Sequence, residues 1–236
     1  MDELTLGFIS FCTSVITGVI GIGGGLLLIA ILPSFLPLNA LIPIHGLNQI
    51  TSNLSRAYFG YKDIQFQVIP KFLVGSFIGV GIFMYFLKTI SLTYIPLLIG
   101  VYILLSLWSR NFNTKIMKYE SYYVIGFFQT GVSVIVGTTG QLAMTKLLKE
   151  FKDKNKVVAT SAILMSITHI LKITVFIYFG FVFYDYLSIV TNMVVGSILG
   201  SYVGTKLRNK LDSKKLIFIL KIFLSVLAVK NIISIG

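Results

Sequence analysis

The residues with chemistry to offer are few and grouped. His45, Asn48, Gln49, Ser52 and Arg56 recur at three- and four-residue spacing inside an otherwise apolar stretch, which puts them on one stripe of a helix. Amide and hydroxyl donors ending in a guanidinium, whose planar fork matches oxyanions, suit a ligand with several negatively charged oxygens. A sparser set, Thr160, Ser161, Thr168, His169 and Lys172, occupies a later apolar stretch. Ionisable residues inside a membrane segment are costly and point to function. Only cations qualify here, namely Arg56, Lys172 and Lys221, because all eight acidic residues fall at segment ends or in loops. Cations without carboxylates favour an anion. Plainer readings stand beside this one: polar side chains also bond helix to helix, Arg56 and Lys221 are placed to snorkel, and Lys172 could cap backbone carbonyls.

The second source of chemistry is the backbone. Gly18-Val19-Ile20-Gly21-Ile22-Gly23-Gly24-Gly25 carries five glycines in eight positions, each costing about 1 kcal/mol relative to alanine in a helix. The spacing predicts a broken helix. Broken backbone is tolerated inside a membrane only where it is buried in protein or lines a cavity. The N-terminus of the half-helix that follows then presents free amides and a positive dipole end. An echo, Gly137-Thr138-Thr139-Gly140 followed by Gln141, interrupts a later segment. The expected site lies between the two half-helix N-termini, Gly23, Gly24 and Gly25 facing Thr138, Thr139, Gly140 and Gln141, with Asn48, Gln49, Ser52, Arg56, Thr168, His169 and Lys172 closing its sides.

Positioning these groups requires a membrane. Hydrophobic residues make up 56% of the 236 and charged residues 12%, about half the charged share of soluble domains; mean hydropathy is +0.90. Apolar runs at 4–31, 40–60, 66–87, 92–109, 121–149, 157–180, 184–205 and 214–235 are near the length that crosses a bilayer, and the reading is an all-α polytopic membrane protein without a soluble domain. The net charge of +12 sits between apolar runs, as the positive-inside bias places it, so nucleic acid is not expected as a partner. Cys12 is the lone cysteine, which excludes an intrachain disulfide and CxxC metal cages, and is read as a small packing residue; no cofactor and no metal are expected. The acidic start Met1-Asp2-Glu3 lacks a basic n-region, so the first apolar run is expected to remain in the mature protein.

The chain divides into two four-segment units, 1–118 and 119–236. Gly21–Leu26 matches Gly137–Leu142, Gly60 matches Gly180, and Val74-Gly75-Ser76-Phe77-Ile78-Gly79 matches Val195-Gly196-Ser197-Ile198-Leu199-Gly200. Under this alignment Thr168 stands where Asn48 does and His169 where Gln49 does. If segments one and five turn at their breaks and leave by the side they entered, Lys62, Lys71, Arg110, Lys115, Lys118 and the Lys146–Lys156 and Lys206–Lys215 groups share one face. Only Lys88 and Lys230 lie opposite, the bias expected of a cytoplasmic face. Each unit then crosses an odd number of times, and the two are inverted. Eight full crossings with a kinked first helix are the alternative.

These glycine motifs, with the Gly75/Gly79 and Gly196/Gly200 pairs in the same order, resemble the TauE/SafE sulfite exporter family over nearly the whole chain. Thr138, Thr139 and Gln141 depart from the more usual glycine, glycine and proline or small residue of the second repeat. The resemblance implies a transporter, exporter or facilitator, for sulfur-containing anions such as sulfite, sulfonate, sulfoacetate or thiosulfate in the cell (inner) membrane. It would have lipid around it, and a homodimer is left open. An inside-negative potential drives anion exit by about 2.3 kcal/mol per charge per 100 mV, so efflux needs no coupling ion. His45 and His169, which titrate naturally near neutral pH, are where a proton-coupled cycle would have to run. An intramembrane enzyme, a non-transporting assembly partner and a cation channel are the competing classes. Two histidines without a carboxylate offer an enzyme little, and a cation channel would need acidic rings.

Overall fold

A computed structural model describes residues 2–109, 121–139 and 141–233, with the backbone alone for Asp2 and Gln141. Among these residues the chain is helical with no strand: α1 (Asp2–Ile20), α2 (Gly24–Ile31), α3 (Leu41–Phe59), α4 (Ile69–Leu87), α5 (Ile95–Trp108), α6 (Tyr122–Val136), α7 (Gln141–Glu150), α8 (Lys154–Tyr178), α9 (Leu187–Leu207) and α10 (Ser213–Ile233). Pro70 and Pro96 open α4 and α5 at positions where a missing N–H costs nothing. Ser121 and Asp153 cap α6 and α8 through their side chains. The stretches Glu3–Ile20, Phe66–Leu87, Lys154–Tyr178, Phe183–Leu207 and Ser213–Ile233 are long and apolar enough to cross a membrane. α3 is as long as α1, but its polar stripe lowers its hydropathy.

The molecule is apolar outside and polar within. Phe77, Ile78, Ile82, Leu199, Phe218, Ile222 and Phe223 are exposed, whereas Ser10, Thr13, Ser14, Thr17, Asn48, Gln129, Thr130 and Ser133 are buried. That distribution fits lipid as the solvent, where hydrogen bonds and close packing, not burial of apolar surface, bind helix to helix. The close approaches use glycine. A Cβ on Gly196 or Gly200 would overlap the Gly7 or Phe11 carbonyl of α1, and one on Gly75 or Gly79 would overlap the Tyr123 or Phe127 carbonyl of α6. Gly18 meets Gly204, the added Cβ standing 2.8 Å from the Gly204 Cα. Contacts that advance together along both chains make α1 parallel to α9 and α4 parallel to α6. Gly60 against Ala159 and Gly46 against Ile173 make α3 antiparallel to α8.

Contacts also sort the helix ends into two groups. At one end Glu3 bonds Ser188 (2.5 Å), Lys88 lies over the Phe179 ring (5.5 Å), Phe181 stacks on Tyr186 (5.6 Å) and Lys230 bonds Ser34 (2.8 Å). At the other, Tyr122 bonds Glu150 (2.5 Å), the Gln65 amide bonds Thr160 (2.9 Å) and Lys154 bonds Ser213 (2.7 Å). The α1–α2 and α6–α7 pairs each return to the end they left, as two hairpins turning at Gly21–Gly23 and Gly137–Thr139. Lys88 and Lys230 mark the first end, and the basic groups around Lys62, Lys146–Lys156 and Lys206–Lys215 mark the second. Arg110, Lys115 and Lys118 lie outside the described residues.

Candidate functional site

The glycines of the first break do three different jobs. Gly18 stays inside α1, because the crossing with Gly204 leaves no room for a side chain. Gly21 and Gly23 make the turn, with φ of 93° and 95°, a region costly for residues with a Cβ. Gly24 and Gly25 open α2, Gly24 lying so close to the Thr13 carbonyl that a Cβ would overlap it. The N-cap Gly23 supplies no side-chain hydrogen bond, so the first amides of α2 are uncapped by side chains. In the second break Gly137 alone of the described residues takes positive φ, 83°. The α7 N-terminus is covered: Ala143 N–H donates to Gln129 Oε1 (3.0 Å), and the Thr139 hydroxyl donates to the Gln129 carbonyl.

The two breaks meet. Thr17, Ile22, Gly23, Gly25, Leu26, Thr138 and Met165 line one small cavity of about 10 Å³, room for no more than a water. A Cβ on Gly25 would lie 3.0 Å from Gln49 Oε1 and 3.4 Å from Thr138 Oγ1. His45 Nε2–H donates to the Gly25 carbonyl (2.9 Å), and Lys172 Nζ donates to the Gly137 carbonyl (2.6 Å). The His45 and His169 rings stand edge to face, centroids 5.6 Å apart. Both are wholly buried, and His45 Nδ1 and both ring nitrogens of His169 have no partner among the described residues. Buried polar groups are ordinarily bonded. The other unpartnered atoms are Asn48 Nδ2, Gln49 Oε1, Ser161 Oγ and Arg56 Nε and Nη1, on the buried faces of α3 and α8; Gln49 and His45 reach Gly25 of the cavity wall.

The stripe residues divide by what they already touch. Asn48 Oδ1 takes the Ser10 hydroxyl (2.7 Å), leaving its NH₂ free. Ser52 lies between Ser14 (2.9 Å) and Ser201 (3.3 Å) and is committed to helix packing. Thr168 is similarly held by Gln129, Thr130 and the Leu164 carbonyl. Arg56 is 1% exposed and does not snorkel; one nitrogen, Nη2, donates to Asn53 Oδ1. Lys172 caps the C-terminal carbonyl of α6, the carbonyl-bonding reading of that residue, yet remains in the wall between the hairpins. Lys221 is half-buried over the Trp108 ring (5.8 Å) and belongs to the periphery. Gly140 and the side chain of Gln141 lie outside the described residues.

Two sets of groups escaped the sequence reading. Ser10, Thr13, Ser14 and Thr17 on α1, and Gln129, Thr130 and Ser133 on α6, are buried polar sets, of which Ser10, Ser14, Gln129 and Thr130 bond the α3 and α8 stripes. Their three- and four-residue spacing was the signal that would have found them. Arg208 was counted with the basic loops, but it is 3% exposed and its Nε donates to the Gly18 carbonyl (2.9 Å). Burial lowers its pKa, which the Asp63 carboxylate partly offsets. Among the described residues no cluster of His, Cys, Asp and Glu could hold a metal ion. No curated protein and no solved structure matches the chain. The family described as Sulfite exporter TauE/SafE matches residues 6–231, the whole polar stripe, both breaks and all four paired glycines included, and the chain belongs to that family.

Proposed function

We propose that the chain exports a small sulfur oxyanion or sulfonate, sulfite being the simplest, across the cytoplasmic membrane, binding it where the two hairpin turns meet. The observation that carries this reading is the shared cavity of Gly23, Gly25 and Thr138 beside an α2 N-terminus that no side chain caps among the described residues. Such a terminus carries roughly half a positive charge. Gln49 stands against Gly25 and Lys172 against Gly137 of the other break, with Asn48 and His169 on the same buried helices and Arg56 farther along the stripe of α3. Every group comes from one chain, so the site does not need a second copy. A cavity of about 10 Å³ is too small for an oxyanion, so loading requires the hairpins to part.

The architecture proposed for that motion is a pair of inverted repeats, 1–118 and 119–236. In its support, α3 runs antiparallel to its counterpart α8, and α1 and α4 pair with each other's counterparts, α9 and α6. Rocking one hairpin with its clasping helix against the other would open the cavity to each end in turn. The lysine-rich end is assigned to the cytoplasm.

The test is flux of sulfite, thiosulfate, sulfoacetate and taurine in proteoliposomes, with wild type beside Lys172→Ala. Wild type is expected to carry at least one of these anions. Lys172→Ala should lower its rate by about tenfold or more, the scale of losing a buried charged hydrogen bond. Folded wild type that carries none of them overturns the proposal.

A further inference from the structure

Arg56 presents a problem that the hairpin cavity does not solve. Gln49 is two helical turns from Arg56 along α3, roughly 10 Å at 1.5 Å per residue. An anion of sulfite size held at Gly25 and Gln49 therefore leaves the guanidinium unanswered. Arg56 Nε and Nη1 have no partner, and no carboxylate pairs with it: among the described residues the one ion pair is Lys146–Glu150. A buried charge needs compensation. A second cation stands beside it. Asn48 and Ser52 bond Ser10 and Ser14 in one parallel register, which carries Arg56 to Gly18, whose carbonyl takes the Arg208 guanidinium at the lysine-rich end. Lys154 bonds the Arg208 carbonyl (2.9 Å), and Asp63 is the carboxylate that acts on Arg208.

The surroundings are built and not accidental. Arg208 is fixed by three bonds, Nε to the Gly18 carbonyl (2.9 Å), Nη1 to Asn155 Oδ1 (3.2 Å) and Nη2 to Thr205 Oγ1 (3.4 Å). Three of its five N–H donors hold α1, α8 and α9 together, so it contributes chiefly charge, whereas Arg56 contributes free donors. Ser161, wholly buried with its hydroxyl unpartnered, sits one turn beyond Met165 on the face of α8 that lines the cavity. Free N–H groups on α3, a free hydroxyl on α8, which packs antiparallel against it, and the charge of Arg208 thus lie one step from the cavity toward the lysine-rich end.

We propose that Arg56, backed by Arg208, is a second anion station, distinct from the hairpin cavity, at which an oxyanion waits on the lysine-rich side before passing between the breaks. This rests on the transport reading for its direction, but not for its existence. The ligand class is a tetrahedral or pyramidal oxyanion with at least two free acceptor oxygens.

Two measurements on the full chain test it. In purified protein, titration calorimetry with sulfite is expected to give two anions per chain in wild type and one in both Arg56→Gln and Arg208→Gln; Arg208→Lys, which keeps the charge, should restore the second. In proteoliposomes of fixed orientation, Arg208→Gln should raise KM by about tenfold for anion offered at the lysine-rich face. KM at the opposite face should stay unchanged. A single anion in wild type, or a KM rise equal at both faces, overturns the station while leaving transport intact. Two anions bound with no flux overturns transport and leaves the station.

Discussion

The two breaks occupy matching places in the chain and are finished by opposite means. The first turns on two positive-φ glycines, Gly21 and Gly23, and leaves the α2 N-terminus without a side-chain cap. The second turns on Gly137 and is sealed by side chains, Gln129 bonding Ala143 N–H and Thr139 bonding the Gln129 carbonyl. Glycine brings no acceptor to the α2 amides, whereas Gln129 covers an α7 amide and Thr139 ties the turn to the Gln129 carbonyl. A pocket made by two like turns is therefore polarised, with one bare helix end facing one dressed one. An anion entering it would meet its strongest backbone donors on the α2 side.

The largest effect should come from Gly24→Ala, whose Cβ would overlap both the Thr13 carbonyl and the Thr17 hydroxyl. Backbone gives way less than a side chain, so a loss of about 3 kcal/mol or more is expected, read as loss of monodisperse protein or a large fall in Tm. Gly137→Ala meets instead the movable Ile29 side chain at 2.9 Å and carries mainly the positive-φ cost, about 1–2 kcal/mol. Equal damage at the two sites would erase the contrast between a packed break and a covered one. The two glutamines give the sharpest and smallest stability test. Gln129→Leu strips the α7 cap and should cost about 1–2 kcal/mol in thermal unfolding. Gln49→Leu removes an oxygen that bonds nothing and should leave Tm within about 0.5 kcal/mol while flux falls about tenfold. If Gln49→Leu unfolds the protein and Gln129→Leu does not, the assignment of open and sealed breaks is reversed.

Periodicity and composition were enough to read helices, breaks and the inward face of α3, because lipid forces polar groups and irregular backbone into the interior. What they could not read was the use of each glycine. Gly18 was expected in the break and lies in α1, since its reason for being glycine is Gly204, far along the chain. The same limit hid the partners of the stripe. Asn48 and Thr168 advertise themselves by polarity, but whether Asn48 faces a ligand or Ser10 depends on how α1 is rotated. Arg208 was masked for another reason: a buried arginine at the end of a basic loop looks, in one dimension, like its solvated neighbours.

The pairing of α1 with α9 bears on how the protein is made. Gly7 and Phe11 rest against Gly196 and Gly200, so α1 leaves the ribosome well before its main partner and meets it only after the helices between them have been synthesised. Until then its carbonyl-lined groove and the polar face of Ser10, Thr13, Ser14 and Thr17 must be sheltered by insertion machinery or by α3. The clasp of α4 on α6 closes sooner, with less chain between the partners. The α1–α9 seam should therefore close late, with α1 settling after helices that follow it in the chain.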